Sequence, residues 1–388
     1  MFNRRHYRLR SRSKPWLALV VLICAWVPGV WAEVRQGQVI DWLYEVEQYV
    51  ADQGAQNRRA AAQAALLRVL SRTTGLVSVP RSPVIAQALA RPERYYAQYV
   101  YFDPQELSPR RRQQIDSQAS TGATDLALRF SFQREAIQQL ARQARLPSWW
   151  SRRPSTVVWM VQDSAQGRRL IDSDDAKVSD ALHREAYRRG LPLLFPSMDL
   201  QDSLLVNPAV VWGKFTDVLD QASARYHAGQ YLVGRFSVQE VLGQRFYTGE
   251  WLLRSGRRED SQFLRSASEA ELARSALILA AQPLLDEQLV FGDAVNAHDF
   301  WVSGIDNLNA YASLMAYLQS LEFVDGVRLL GVQGDTLALQ LQSAAARDRL
   351  LALLTGSGRL RAAQPSWGST VAQEAAPESG LLVWQTDS

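Results

Sequence analysis

Residues 327–342 read Val-Arg-Leu-Leu-Gly-Val-Gln-Gly-Asp-Thr-Leu-Ala-Leu-Gln-Leu-Gln. Leu337, Leu339 and Leu341 alternate with small or polar residues, the period of a strand with one buried face, and Gly334-Asp335 supplies a hairpin turn. Upstream lie a short strand-like run, Phe300 to Ile305, and a helical stripe of Tyr311, Leu314, Met315, Leu318 and Leu321. Downstream, Leu350, Leu353 and Leu354 mark a second helix that stops at Gly356 or Gly358, before a short strand near Leu360. The order β-α-β-β-α-β is the split βαβ, ferredoxin-like plan, and it sets the expected fold class as α+β.

The same order is expected near the amino terminus. Leu43 to Val50 has strand length. Ala62, Leu66, Val69 and Thr73 share one face of a helix over 57–73 that Gly75 should stop. Strands follow at Tyr95 to Phe102 and Asp125 to Phe132, then a helix at Gln133 to Arg145 and a β-branched, aromatic run at Thr156 to Val161. Asp103 to Thr124, with Pro104, Pro109 and Arg110-Arg111-Arg112, reads as an exposed loop.

Between the two units an α/β module is expected. Val178, Leu182 and Ala186 precede a stop at Gly190. Asn207-Pro208 opens a single helix carrying Val211, Phe215, Val218, Ala222 and Tyr226. Strands at Gln230 to Val238 and Arg245 to Arg254 follow, and Ser268 with Glu271 forms a capping box for a helix to about Gln288 that contains Pro283. The layout is therefore a leader at 1–32, domains at 33–162, 163–292 and 293–362, and a disordered tail at 363–388, in which Leu381-Leu382-Val383-Trp384 either packs locally or docks on a partner.

The leader rests on Arg4, Arg5, Arg8, Arg10, Arg12 and Lys14, followed by an apolar run from Trp16 to Val27, broken at Pro28-Gly29. That run is shorter than the roughly 20 residues needed to span a bilayer, so it reads as a signal peptide cleaved after Ala32, with an uncleaved anchor as the alternative. Cleavage removes Cys24, the chain's one cysteine, and with it disulfide, thiolate-metal and thiol-nucleophile chemistry. It also removes six basic residues and no acid, leaving 37 Lys and Arg against 39 Asp and Glu, so the formal +4 of the whole chain becomes about −2. The basic balance belongs to the leader, and nucleic acid is not an expected partner. A hydrophobic content of 47% excludes a disordered chain.

No local catalytic motif is present. His183, His227 and His298 lack metal-ligand spacing, and there is no nucleophile elbow and no phosphate-binding glycine loop. Asp172-Ser173-Asp174-Asp175 reads as helix capping rather than a calcium loop, because Lys177 and His183 stand where such a loop needs Gly and Glu. No metal and no cofactor is expected. Trp149-Trp150-Ser151-Arg152-Arg153 combines residue types used at recognition surfaces, with packing at a sheet edge as the plainer reading. Arg110 to Arg112 and Arg152-Arg153 are candidate anion-facing clusters.

Val50-Ala51-Asp52-Gln53, the helix end Arg68 to Gly75, and Tyr95-Tyr96-Ala97-Gln98-Tyr99 resemble the bacterial envelope family of domain of unknown function 2066, as do Ala222 to Tyr226, Tyr231 to Arg235 and Gly249-Glu250-Trp251. The resemblance implies an exported envelope protein and no catalytic residue. The expected function is then non-catalytic binding or assembly in the envelope, with an envelope protein as partner and a membrane surface as the second option. Candidate binding residues are Trp149, Trp150, Arg152, Arg153, Arg225, Tyr226, Arg235, Trp251 and Trp384. The alternatives are a hydrolase built from Asp217, His227 and Glu250 near Arg225 and Arg235, and a carrier with an apolar cavity for lipid.

Overall fold

Six consecutive residues, Thr156 to Val161, are buried in the computed structural model, and that continuous burial decides which sheet they join. The structure describes residues 37–107, 112, 115, 126–173, 176–291, 294–363 and 380–385. The leader with Cys24, Arg110-Arg111 and Asp174-Asp175 lie outside the described residues. The chain is α+β, and within the described residues four hydrophobic cores belong to three successive modules, two of them to the middle one.

The first module contains β1 (Gln38–Val39), β2 (Glu45–Tyr49), α1 (Ala55–Thr74), α2 (Pro83–Ala90), β3 (Tyr96–Phe102), β4 (Ala127–Phe132) and α3 (Arg134–Gln143). Its antiparallel sheet runs β2-β4-β3. The three helices cover the face carrying Leu128, Phe130 and Phe132. α1 is rich in Ala, which favours helix, and ends where Gly75 adopts φ +72, as its sequence implied. β5 (Ser148–Trp149) and β6 (Arg152–Arg153) then lead out.

The run at Thr156 to Val161 does not complete this sheet as expected. As β7 (Thr156–Ser164) it lies inside the next one, because a strand buried on both faces needs helices on both sides, and the first sheet is cored on one. The middle module continues with β8 (Gly167–Ile171), α4 (Ala176–Arg189), β9 (Leu193–Leu194), α5 (Leu200–Leu205), α6 (Pro208–Gly213), α7 (Thr216–Ala224), β10 (Gln230–Val241), β11 (Gln244–Ser255), β12 (Arg258–Ser266), α8 (Glu269–Gln288) and β13 (Leu289–Val290). Its sheet order is β12-β11-β10-β7-β8, with β9 also paired to β7. Val158, Met160, Leu232 and Trp251 face α4 and α8, whereas Val157, Trp159, Val233 and Leu252 face α6 and α7.

Two elements of this module depart from the sequence reading. The expected single helix from Asn207 is two, because Lys214 adopts φ 54 and its N–H, with that of Phe215, closes on the carbonyls of Val210 and Val211. The apolar stripe continues across the break, which hid it. β12 escaped notice because Arg258 to Ser266 is a polar edge strand with Leu264 and Ser266 alone buried.

The carboxy-terminal module holds β14 (Asn296–Ser303), α9 (Leu308–Gln319), β15 (Gly326–Gln333), β16 (Thr336–Ser343), α10 (Arg347–Gly356), β17 (Leu360–Ala362) and β18 (Gly380–Trp384). The β-α-β-β-α-β order is present as expected. The expected disordered tail is corrected at its apolar tetrapeptide, which lies in β18, and the sheet order is β15-β16-β14-β18-β17.

Gly234 lies opposite Trp251 across β10 and β11, and a Cβ there would sit 2.3 Å from Trp251 Cζ3. Trp251 is fully buried. Gly234→Ala is therefore expected to lower stability by about 1 to 3 kcal/mol through overpacking, read as a lower urea midpoint with an unchanged m-value.

Candidate functional site

Trp149, Trp150, Ser151 and Arg153 are buried, and Arg152 is partly so. Trp149 enters the middle core, and its Nε1–H donates to Gln288 Oε1 at 3.2 Å. Trp150, one residue on, enters the carboxy-terminal core, edge-on to Phe323 at 5.5 Å. Arg152 donates to the Gly37 carbonyl at 2.8 Å, beside the two-residue pairing of β1 with β6. Arg153 is fully buried, 3.5 Å over the Trp149 ring. It donates to the carbonyls of Trp150 at 3.0 Å, Gly190 at 2.6 Å and Arg72 at 2.7 Å. The last two close the carboxy ends of α4 and α1, where unpaired carbonyls and the helix dipole favour a cation. Burial pushes this guanidinium down from 12.5 to about 9, against the raising influence of Glu322, so it stays charged at neutral pH. Arg153 is thus a clamp between modules and not an anion-facing surface residue.

The remaining candidates are also engaged. Arg225 bridges Asp199 at 2.8 Å and the buried Asp202 at 3.1 Å, and Tyr226 donates to Asp202 at 2.5 Å. Arg225 holds the Asp199 carboxyl well below the usual range. Arg235 donates to Glu250 at 2.7 Å and to the Trp212 carbonyl at 2.9 Å. Lys214, carried into place by the break between α6 and α7, donates to the other Glu250 oxygen at 2.9 Å. Burial alone would raise the Glu250 pKa, but the bonds from Lys214 and Arg235 outweigh it and hold the carboxyl below its usual value. Trp384 is buried beside Tyr317 at 5.6 Å. Asp217 and His227 are exposed, and no hydrogen bond among the described residues joins either to Glu250. The structure does not bring Asp217, His227 and Glu250, the residues of the alternative hydrolase reading, together.

The best candidate site is a groove where the first and middle modules meet. Two adjoining clefts of about 370 and 240 Å³ share Arg68, Ser71, Val77 and Arg188. Arg81 lines the larger, and Arg189, Arg274 and Glu185 line the smaller. Glu185 is spent on Arg189 at 2.8 Å and Arg188 at 3.5 Å. In the larger cleft the wall includes Gln48, which is 1% exposed and, among the described residues, has no hydrogen-bond partner on either amide atom. A buried amide left unpaired costs about 1 to 3 kcal/mol, so its place beside guanidinium groups points to a polar, anionic ligand. Sequence reasoning missed this site because Gln48, Arg68, Arg81, Arg188 and Arg274 belong to separate elements and form no spaced motif.

A larger cleft of about 540 Å³ lies between the same modules, lined by Trp42, Glu45, Glu47, His183 and Tyr187 among others. Trp42 stacks on Tyr187 at 4.9 Å, with the Arg72 guanidinium 4.2 Å from the Tyr187 ring centre. Glu47 is taken up by Arg129 at 2.7 Å. This cleft therefore reads as a sealed joint more than as a ligand site. Among the described residues there is no group of His, Cys, Asp and Glu that could hold a metal ion, and no helix is long and apolar enough to cross a membrane.

The family model described as Domain of unknown function (DUF8605) matches residues 38–150. That finding corrects the resemblance drawn above, since the family it identifies is a different one from domain of unknown function 2066. The shared residues are mostly helix-stop, turn and packing positions, which recur in unrelated folds. The match spans the first module from β1 to Trp150, and so includes Gln48, Arg68 and Arg81 but not Arg188 or Arg274. No curated protein and no solved structure matches the chain.

Arg153→Lys keeps the charge and loses the fork that reaches both helix ends, so it is expected to cost about 1.5 to 3 kcal/mol in urea unfolding. Glu250 gives a second test, in pH dependence. A carboxyl held low in the folded state stabilises the fold above its unfolded value of 4.5, and that contribution is lost as pH falls through the folded pKa. Glu250→Gln should therefore flatten the decline in stability below about pH 4.5 relative to the parent chain, as followed by tryptophan fluorescence.

Proposed function

We propose that this chain is an exported, non-catalytic binding protein of the cell envelope that engages an anionic group through the groove between its first and middle modules. The observation that carries this reading is the unpaired, buried Gln48 amide beside Arg68, Arg81 and Arg188. Export is supported by the basic and then apolar leader at 1–32. With that leader removed the chain is slightly acidic, so a cationic groove stands against an acidic background, and attraction to anions is local to it. The non-catalytic part of the reading is supported by Glu250, Asp199 and Asp202, whose carboxylates are taken up by Lys214, Arg235, Arg225 and Tyr226.

The test is flotation with vesicles of phosphatidylglycerol against vesicles of phosphatidylcholine. Arg81 and Arg274 are exposed, so Arg81→Ser with Arg274→Ser should leave the fold intact and weaken binding to phosphatidylglycerol by about 10-fold. Gln48→Leu should raise stability by about 1 kcal/mol while also weakening binding, since it removes a buried amide that has no partner among the described residues. Equal binding by the parent chain and both variants would overturn the assignment.

A further inference from the structure

The carboxy-terminal sheet holds a strand that its own plan does not call for. In a β-α-β-β-α-β unit the first and fourth strands are neighbours, and here these are β14 and β17. Instead β18 lies between them, parallel to β14 from Phe300↔Gly380 to Ser303↔Val383 and antiparallel to β17 from Leu360↔Trp384 to Ala362↔Leu382. The ladder continues past the strand, with Ala363 N–H donating to the Leu381 carbonyl and Gln385 N–H to the Arg359 carbonyl, both at 2.9 Å. Main-chain bonds on both edges and alternate side chains in pockets describe how a peptide is recognised by strand addition.

The pockets are specific. Leu382 is 1% exposed and Trp384 5% exposed in the carboxy-terminal core, while Leu381 and Val383 point the other way and are half-buried. Among the described residues the Trp384 indole N–H has no hydrogen-bond partner, so its side chain is held by shape and burial. Gly380 sits where a Cβ would come within 3.1 Å of the Phe300 ring, which demands a small residue at that end. Gly304, at φ +86, passes close under the Trp384 carbonyl.

The connection is the second observation. β17 and β18 are adjacent and antiparallel, and Ala363 already touches Leu381. Such a pair needs a loop of about two to five residues, whereas 364–379 provides sixteen.

We propose that the gap between β14 and β17 is a peptide-accepting slot occupied in cis by residues 380–384. It takes an extended partner segment with a small residue first, a leucine-sized residue third and an aromatic residue fifth, and a partner segment of that pattern displaces the tail. The proposal goes beyond the binding reading above by adding a second site, with a peptide as its ligand. It is tested separately, because it does not involve the arginine groove or the compartment.

The experiment uses the full chain with a protease site placed within 364–379, so that cutting leaves residues 380–388 bound without a covalent link. The cut chain is expected to keep this peptide through gel filtration and to exchange it 1:1 for a fluorescent peptide of the same sequence, read by anisotropy. Peptides carrying Leu382→Asp or Trp384→Ala should compete at least about 100-fold less well, and one carrying Gly380→Val about 10-fold less well. Circular dichroism after peptide release decides the matter independently. A cut chain that unfolds on losing the peptide makes residues 380–384 a folding element and overturns the proposal, as does a folded cut chain that takes up no peptide.

Discussion

A buried charge that makes no ion pair among the described residues has to be satisfied by dipoles, and the Arg153 guanidinium meets that requirement with main-chain oxygens from two helix ends and from Trp150, just before its own strand. The carbonyls it uses are those that α1 and α4 leave unpaired at their ends, so one side chain closes two helices belonging to different modules. Stacking over Trp149 fixes the guanidinium plane. Trp149 and Trp150 meanwhile point from consecutive residues into separate cores. Moving any of the three modules would therefore expose a charge or an indole. The joint sealed by Trp42, Tyr187 and Arg72, and the groove next to Gln48, both depend on that fixed placement.

The groove and the slot illustrate two ways in which a satisfied fold leaves room for a ligand. At the groove a polar group is left wanting, since among the described residues Gln48 has neither donor nor acceptor partner. At the slot everything is satisfied, but by a segment joined to the module through a connection far longer than its geometry needs. The first lacks a partner and the second holds one that can be replaced. Neither needs Glu250, Asp199 or Asp202 of the middle module, which are engaged by Lys214, Arg235 and Arg225.

Local chemistry in the sequence was legible where one residue determines its own surroundings. Gly75 and Gly190 stop helices at positive φ, and Ser268 caps its helix with Glu271 answering at the Ala267 N–H. The Gly334 hairpin forms with the expected leucines inward. What was not legible depends on neighbours distant in sequence. Thr156 to Ser164 reads equally well as the last strand of one sheet or the first of the next, and only burial on both faces distinguishes them. Trp149 to Arg153 looks like a recognition motif because the same residue types serve hot spots and domain junctions alike. The five arginines of the groove come from four separate stretches of chain, and no periodicity records that they meet.

The clamp at Arg153 also imposes an order in time. Its guanidinium can leave water only when the ends of both α1 and α4 are in place, and these lie 81 residues before it and 37 residues after it. A chain emerging amino end first would therefore hold the first module open at Arg72 until residue 190 had appeared. Closure is then a late and non-local event, with the loop-closure entropy spent before the buried bonds form. During that interval Trp149 and Trp150 lack their partners from residues 288 and 323, which makes the junction the region of the growing chain most in need of shielding.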